Sequence, residues 1–315
     1  MPPFAPSLIA ALCWGGMFPI ADAALTHVDA AHLTAVRYGV ASLVFLAILA
    51  AVEGRQALRF DGRFGRALLF GSLGFAGFNL LSYVGLEHTT PQHASLLVAT
   101  SPAMTVLARW ALDGVRPSRA LLGCVAGAFA GVALVVVGDD PAAALKGGAG
   151  DLLVLVAVVC WVRYTLSAAD DFGGWSPLRF TALSASAGTL TVVAITVAGD
   201  ATGLLSPPSS AGISAVAPAF AYIVLLGAVV AVLAWNAGVV RLGPSNAALF
   251  MNLVPVTTFT IEAIRGATPG PVELAGAGVT LAALVAANLT LRRRVQAPVR
   301  APGRLAAAAS ASARR

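Results

Sequence analysis

Ten apolar runs, each long enough to cross a lipid bilayer, are the feature that most limits how this chain can fold. A membrane-spanning helix needs about 20 mostly apolar residues to cross a hydrocarbon core about 30 Å thick. Soluble domains are about one quarter charged, whereas this chain is 11% charged and 58% hydrophobic. The chain is therefore predicted to be an all-α integral membrane protein with ten transmembrane helices. They are expected over about 7–25, 34–52, 66–86, 93–112, 119–137, 150–168, 177–198, 217–240, 246–265 and 271–291.

The arginines alternate between breaks in a way that predicts the orientation. Cytoplasmic loops carry an excess of Lys and Arg. The break between runs two and three, the break between runs four and five and the C-terminal tail are rich in arginine, whereas the alternate breaks hold only Lys146 and Arg265. We therefore expect a multi-pass protein of the cell (inner) membrane with both termini in the cytoplasm. The net charge of +6 then orients the chain, and no nucleic-acid partner is expected.

An internal repeat relates the two halves of the chain. The Cys-Trp pair at Trp14 recurs at Trp161, 147 residues later, and "VGLEHTTPQHASLLVATSPAMT" matches "AGVVRLGPSNAALFMNLVPVTT" at an offset of 153, which pairs Pro102 with Pro255. Because each unit has five helices, the second must enter the membrane the other way up, an arrangement typical of secondary transporters. The sequence thus predicts two inverted five-helix repeats. Their bounds are 1–138 and 139–291, and a basic, disordered cytoplasmic tail is expected at 292–315.

The chain resembles the EamA-type drug/metabolite transporters over nearly all of residues 7–291. The resemblance rests on "CWGGMFP" in the first run, on Arg37 early in the second, on "SYVGLEHTTPQHASLLVATSPAMTVLARWALDG" and on the later "RLGPSNAALFMNLVPV". It implies a ten-helix exporter or permease for amino acids, metabolites or xenobiotics, with a central cavity between the halves. The family's "LGE" after the fourth and ninth helices reads "LDG" around Asp113 and "RGA" around Gly266 here. The second departure puts a role for that distal acidic residue in doubt.

Polar and aromatic side chains inside the apolar runs are the candidates for a substrate site. Trp14 and Trp161 fall near the bilayer middle rather than in the interfacial belts, where their rings can stack on a substrate or pack against small residues. Arg163 either binds a substrate carboxylate or phosphate or pairs with Asp170 or Asp171. The asparagines either contact substrate or join helices by hydrogen bonds. The predicted substrate-binding set is Trp14, Asn79, Trp161, Arg163, Tyr164, Asn236 and Asn252.

Two prolines and three charged residues are candidates for moving or coupling parts. Pro102 and Pro255 each lack an amide hydrogen and clash with the carbonyl four residues earlier, so they are predicted kinks that act as hinges or as static bends. Asp22, Arg37 and Glu262 lie toward the predicted outer ends of their runs. Glu262 is expected either to carry protons for coupling or to form a structural ion pair with Arg37.

The motifs that would indicate other classes of protein are missing from the sequence. It contains no HExxH, no nucleotide-binding loop and no metal-ligand spacing. We therefore predict a secondary transporter that exports a small-molecule substrate, has no enzymatic activity, and needs no cofactor and no metal. A membrane-embedded enzyme or a lipid-carrier flippase on the same scaffold is the alternative. Gly123, Gly127 and Gly131 have the spacing of close helix contacts, either within the chain or in a homodimer.

Overall fold

The fold is built from helices in every part of the chain that is described. The computed structural model describes residues 2–137, 141–242 and 247–296, with side chains described except at 141–147, 248–249 and 292–296. We number the helices that correspond to the ten runs as spans 1 to 10. They are span 1 Ala5–Leu25, span 2 Ala30–Val52, span 3 Phe64–Leu86, span 4 Pro91–Ala99 with Ser101–Asp113, span 5 Arg119–Val137, span 6 Gly148–Asp170, span 7 Pro177–Thr202, span 8 Ser210–Leu242, span 9 Phe250–Ile264 and span 10 Pro271–Leu291.

The lengths of these helices confirm a multi-pass membrane protein. Among the described residues, eight helices are long and apolar enough to cross a membrane, and span 4 is a ninth when its two pieces are counted together. Span 9 is a shorter apolar helix. Five spans in each half make the second half inverted relative to the first, as the repeat predicts.

Several helix ends follow from local capping chemistry. Asp29 Oδ1 accepts hydrogen bonds from the amides of Ala31 and His32 (2.9 and 3.0 Å) at the start of span 2, and Ser176 caps span 7 in the same way. These side chains satisfy amides that have no partner within the helix. Span 7 ends at Gly203, whose φ of +74° is one that other residues rarely adopt.

Two helices extend beyond their predicted ends. The helix of span 6 begins at Pro141, inside the predicted break "GDDPAAALKGGAGD". Proline suits the first turn of a helix, and the alanines that follow have the highest helix propensity. The last helix continues to Gln296, into the predicted tail. The remainder of that tail, 297–315, lies outside the described residues.

The helix packing repeats between the two halves. Span 1 packs on spans 8 and 9, and span 6 packs on spans 3 and 4, which is the same pair of contacts with the halves exchanged. Span 2 packs on span 7, and span 5 on span 10. The contact between the halves therefore has the pseudo-twofold pairing that an inverted repeat produces.

Small residues allow spans 5 and 10 to approach closely. A Cβ atom at Gly131 would lie 2.4 Å from Thr280 Oγ1 and 2.7 Å from the Gly276 carbonyl oxygen. Gly127 also faces span 10, whereas a Cβ at Gly123 would meet no atom within 4 Å. At Gly127 and Gly131, the predicted stripe of small residues therefore packs against another helix of the same chain.

Four spans are interrupted at positions that the repeat relates. Span 3 contains the π-helical segment Ser72–Gly77 and span 8 the π-helical segment Tyr222–Val230, and the last residues of the two lie 153 positions apart. Span 4 bends by 42° at Thr100. Span 9 changes from a 3₁₀ helix to an α-helix at Leu253, which is 153 positions after Thr100. Because 153 is the offset of the sequence repeat, these interruptions belong to both halves.

Candidate functional site

Arg37 of span 2 is a cation enclosed between spans 2 and 3. Its side chain is 3% exposed. Nη1 donates to Asn79 Oδ1 (2.9 Å) and to the Tyr83 hydroxyl (2.6 Å), and the guanidinium lies 4.8 Å from the centre of the Tyr38 ring. The Asn79 amide donates to the Phe75 carbonyl (3.0 Å), inside the π segment of span 3. Arg37 is thus held by neutral oxygens, which do not compensate its charge.

Two polar atoms at this network lack hydrogen-bond partners. One is on Arg37 itself, and the other is on Ser82, the residue before Tyr83. Arg37 Nε and Ser82 Oγ are both buried and unpaired. Within the described part of the chain, Arg37 forms no ion pair with a carboxylate. An arginine buried within a membrane-spanning helix is costly and rare, and a buried donor without an acceptor costs about 1–3 kcal/mol. Arg37 is thus a buried cation that keeps an unused donor, and Ser82, with its unpaired hydroxyl, immediately precedes Tyr83, one of the residues that hold Arg37.

The ion pair between Arg37 and Glu262, one of the two roles predicted for Glu262, is not formed among the described residues. Glu262 pairs with Arg265 at 2.6 Å, at the end of span 9. Arg265 also donates to the Pro19 carbonyl of span 1 (3.1 Å), and Asp22 interacts electrostatically with Glu262 and Arg265. A partner three residues away on the same helix lies within reach of the carboxylate without any tertiary packing. The described cation that pairs with Glu262 is therefore Arg265 and not Arg37.

Trp14 of span 1 is fixed by the π segment of span 8. Its ring nitrogen donates to the Gly227 carbonyl (3.0 Å), which lies inside that segment. The Trp14 ring is half-buried and lies 5.8 Å from the ring of Trp235. This side chain therefore connects the first half of the chain to the interrupted helix of the second.

Trp161 and Tyr164 of span 6 belong to an aromatic cluster with spans 3 and 7. Tyr164 is buried and stacks on Phe180 with ring centres 5.0 Å apart. A Cβ atom at Gly74 would lie 2.4 Å from the Tyr164 ring. Trp161 is half-buried at the edge of the cluster, 5.2 Å from Phe78. The structure thus places Tyr164 in the packed core and Trp161 at its margin.

Pro102 and Pro255 lie in the first turn of a new helical segment rather than inside a continuous helix. Pro102 follows the bend at Thr100, and the Val98 carbonyl, four residues before Pro102, accepts a backbone amide at the helix end and the Ser101 hydroxyl instead. Pro255 follows the 3₁₀ segment of span 9. The N–H of a residue in the first turn has no carbonyl to donate to within its helix, so proline, which lacks this N–H, is tolerated there. The kinks exist as helix breaks, and their action as hinges stays a prediction.

The remaining predicted site residues occupy other places. Arg163 Nη2 lies 3.7 Å from Asp171, and the guanidinium lies 4.5 Å from the centre of the Phe70 ring, so the ion pair with Asp171 that was one of its two predicted roles is formed. Asn236 is half-buried in span 8, and Asn252 is buried at the end of the 3₁₀ segment of span 9. Neither asparagine is a partner of Arg37 in the described network.

Two recesses of the described surface contain none of the predicted site residues. One of about 460 Å³ is lined by apolar residues that include Leu68 and Leu190. The other, of about 420 Å³, is lined by loop residues that include Arg59 and Arg179. Within the described residues, no group of three or more His, Cys, Asp or Glu side chains is placed to hold a metal ion.

Tyr38, Ser82 and Tyr83 belong to the Arg37 network or adjoin it in sequence, and the sequence patterns did not single them out. One signal for Tyr83 was present, because it aligns with Asn236 at the offset of 153. Ser82 and Tyr83 also open the family motif "SYVGLEHTTPQHASLLVATSPAMTVLARWALDG", whereas Tyr38 carries no such signal. Their relevance comes from contact and burial, which only the packed structure supplies.

Comparison with known proteins finds relatives along nearly the whole chain. The profile of the EamA-like transporter family matches residues 5–137 and 148–289. The uncharacterized transporter YrdR of Bacillus subtilis is 29% identical over 294 residues, 91% of each chain. A probable terminal-alkyne amino-acid exporter of Streptantibioticus cattleyicolor is 27% identical over 299 residues, 94% of this chain and 96% of that protein. A crystal structure with 21% identity and a TM-score of 0.62, covering 92% of this chain and 99% of that one, has the same fold.

Proposed function

Because the chain belongs to the EamA-like transporter family, we propose that it is a secondary transporter that exports a small molecule across the inner membrane by alternating access. The proposed cargo is an amino acid, a related metabolite or a drug-like compound. Cargo passes between the two inverted halves, and one half rocks against the other so that the site opens to each side of the membrane in turn. Both termini are proposed to lie in the cytoplasm.

The observation that carries this proposal is the placement of the helix interruptions. The π segments end at Gly77 and Val230, and the other breaks fall at Thr100 and Leu253. Each pair is related by the repeat, and the interrupted spans 3, 4, 8 and 9 all pack against the opposite half. Interrupted membrane helices are typical of transporter binding sites, where freed backbone groups face protein or a wet cavity.

One relative supports the class of cargo. The protein of Streptantibioticus cattleyicolor is described as a probable exporter of a terminal-alkyne amino acid and aligns over 94% of this chain. We infer an amino-acid-like cargo for this chain, with export as the direction.

An efflux experiment tests the function. Cells that overproduce the protein are exposed to a panel of amino-acid analogues and antimicrobial compounds, and protection identifies cargo that inside-out vesicles should then accumulate. The accumulated compound should be chemically unchanged, because an embedded enzyme would transform it. If no panel compound protects cells or enters vesicles that contain well-folded protein, export of this class is rejected.

The helix break of span 4 provides a variant for the same assay. Pro102→Ala restores an amide that can donate to the Val98 carbonyl, which favours a straighter span 4. We expect efflux to fall several-fold while thermal stability is kept or raised. Pro177→Ala, at the ordinary start of span 7, is the matched control and should leave efflux unchanged. Equal efflux by the two variants would show that the break at Thr100 is a static bend.

A further inference from the structure

We propose that Arg37, together with the Ser82 hydroxyl, binds the carboxylate of the transported molecule. This inference rests on the proposed function, because it assigns a substrate contact within a transporter. It is carried by the burial of Arg37, by the donors that Arg37 leaves unused, and by a second unpaired group nearby on span 3.

The first step concerns which edge of the guanidinium is free. Nη1 makes both described hydrogen bonds of Arg37, to Asn79 and Tyr83. Nε is buried and has no partner, and the hydrogen bonds described for Arg37 both use Nη1 rather than Nη2. The hydrogens on Nε and Nη2 point the same way and form the two-pronged edge that receives both oxygens of a carboxylate. The protein therefore holds Arg37 by one nitrogen and leaves its bidentate edge unused.

The second step concerns Ser82. Its hydroxyl is buried and unpaired, and the residue is 2% exposed. Ser82 lies three residues after Asn79 and immediately before Tyr83, so it is on the same side of span 3 as Asn79, a residue that holds Arg37. A buried hydroxyl without a partner is uncommon in native proteins. In the proposed site, the carboxylate that Arg37 binds is also the acceptor for this hydroxyl.

The third step concerns charge. Arg163 already faces Asp171, and Arg265 faces Glu262. Arg37 is thus a single uncompensated positive charge, and one monoanionic carboxylate neutralises it. A phosphate dianion would leave a net negative charge in a buried site with one cation, which is unfavourable. These charges favour a monocarboxylate over a phosphate.

The fourth step concerns access. Arg37 is enclosed in this conformation, but span 2 packs against the π segment of span 8, which belongs to the other half. Movement of one half against the other therefore changes the contacts of span 2. Tyr83 and Asn79 belong to the same half as Arg37, so they hold its Nη1 while the facing side opens.

The test compares amino acids with their amides. Purified full-length protein is reconstituted in proteoliposomes, and exchange of L-propargylglycine, L-leucine and L-phenylalanine is measured against the three corresponding carboxamides. For at least one of the three amino acids, wild-type protein should exchange the acid at least ten times faster than its amide. Arg37→Gln should lower exchange of the acid at least tenfold and exchange of the amide little. Arg37→Lys, which keeps the charge but not the fork, should fall between them.

Ser82→Ala keeps the proposal testable if Arg37→Gln folds poorly. Ser82 donates no described hydrogen bond, so Ser82→Ala should leave thermal stability unchanged while acid exchange falls several-fold. Ser186→Ala, which removes only a bond within span 7, is the control. The site is rejected if wild-type protein does not prefer any acid to its amide, or if the Arg37 and Ser82 variants lose acid and amide equally. In either case, the efflux experiment with the broader panel of compounds still tests the proposed transport function independently of this site.

Discussion

A carboxylate near the end of a membrane helix is stabilised most directly by a cation one turn away on the same helix. Glu262 finds such a partner in Arg265, whose guanidinium also reaches the Pro19 carbonyl of span 1. The spacing of three residues was visible in the sequence, whereas the partners of Arg37 lie 42 and 46 residues away in span 3. Charge and hydropathy identified both residues as candidates. The choice of partner depends on packing, which a single sequence does not contain.

Replacement of Glu262 should have a small effect on stability. The Arg265 side chain is 44% exposed, although the Glu262 side chain is only 12% exposed, and ion pairs with a solvent-exposed partner contribute less than about 1 kcal/mol. Glu262→Gln should therefore lower the free energy of unfolding by no more than that, whereas loss of a buried pair with Arg37 would cost about 3–5 kcal/mol. Chemical denaturation in detergent measures the difference. The double variant Arg37→Glu with Glu262→Arg should not recover stability. If Glu262→Gln also keeps the pH dependence of transport, this acid does not carry the coupling proton.

The ring nitrogen of Trp14 should matter more than that of Trp161. Trp14→Phe keeps an aromatic ring but leaves the Gly227 carbonyl without its donor, a loss of about 0.5–1.5 kcal/mol. Among the described residues, no hydrogen bond uses the Trp161 ring nitrogen, so Trp161→Phe is the matched control. Thermal unfolding should show a lower midpoint for Trp14→Phe only. Equal midpoints would mean that the bond between spans 1 and 8 contributes nothing to stability.

At the scale of the helix, length and apolarity predict where a span lies, but not where it is interrupted. Neither π segment, "SLGFAG" nor "YIVLLGAVV", contains proline. A carbonyl of each segment accepts a side-chain hydrogen bond, from Trp14 of the other half to Gly227 and from Asn79 within span 3 to Phe75. The prolines did indicate the breaks in spans 4 and 9. The proline breaks follow from local chemistry that the sequence shows, whereas the bond from Trp14 to Gly227 joins residues 213 positions apart and required the structure.

The glycines of span 5 offer a test of helix packing within one element. Gly131→Ala would place a methyl group 2.4 Å from Thr280 Oγ1 and 2.5 Å from the Thr280 amide nitrogen. Overpacking of this kind typically costs about 1–3 kcal/mol. Gly123→Ala meets no atom within 4 Å and should be neutral or stabilise by up to about 1 kcal/mol. The thermal midpoints of the two variants in detergent provide the comparison. A destabilised Gly123→Ala would instead indicate that this position packs against a second copy of the chain.

At the scale of the whole molecule, contacts of basic side chains with carboxylates join the two halves near both sets of helix ends. On the predicted cytoplasmic side, Arg109 pairs with Asp170 (2.9 Å), and Arg179 pairs with Asp61. On the predicted outer side, His32 lies 3.3 Å from Asp200, and His93 lies 3.4 Å from Asp151. Each pair takes one residue from each half. An alternating-access cycle would break the pairs of one side while keeping those of the other, so the orientation of the protein determines which pairs gate entry and which gate release.

The orientation can be measured with single cysteines in a background without Cys13, Cys124 and Cys160. Gln56 and Val115 are exposed in the loops after spans 2 and 4, and His88 and Leu204 are exposed in the loops after spans 3 and 7. None of the four is a positive-φ position or a described helix-capping side chain.

If the arginine-rich loops are cytoplasmic, a membrane-impermeant maleimide added to intact cells should label His88→Cys and Leu204→Cys. Gln56→Cys and Val115→Cys should be labelled only after the membrane is permeabilised. The reverse pattern would place both termini outside, and the arginine contacts would then close the outer side. Labelling of all four positions in intact cells, when a cytoplasmic control protein stays unlabelled, would contradict the alternating topology and with it the inverted relation of the two halves.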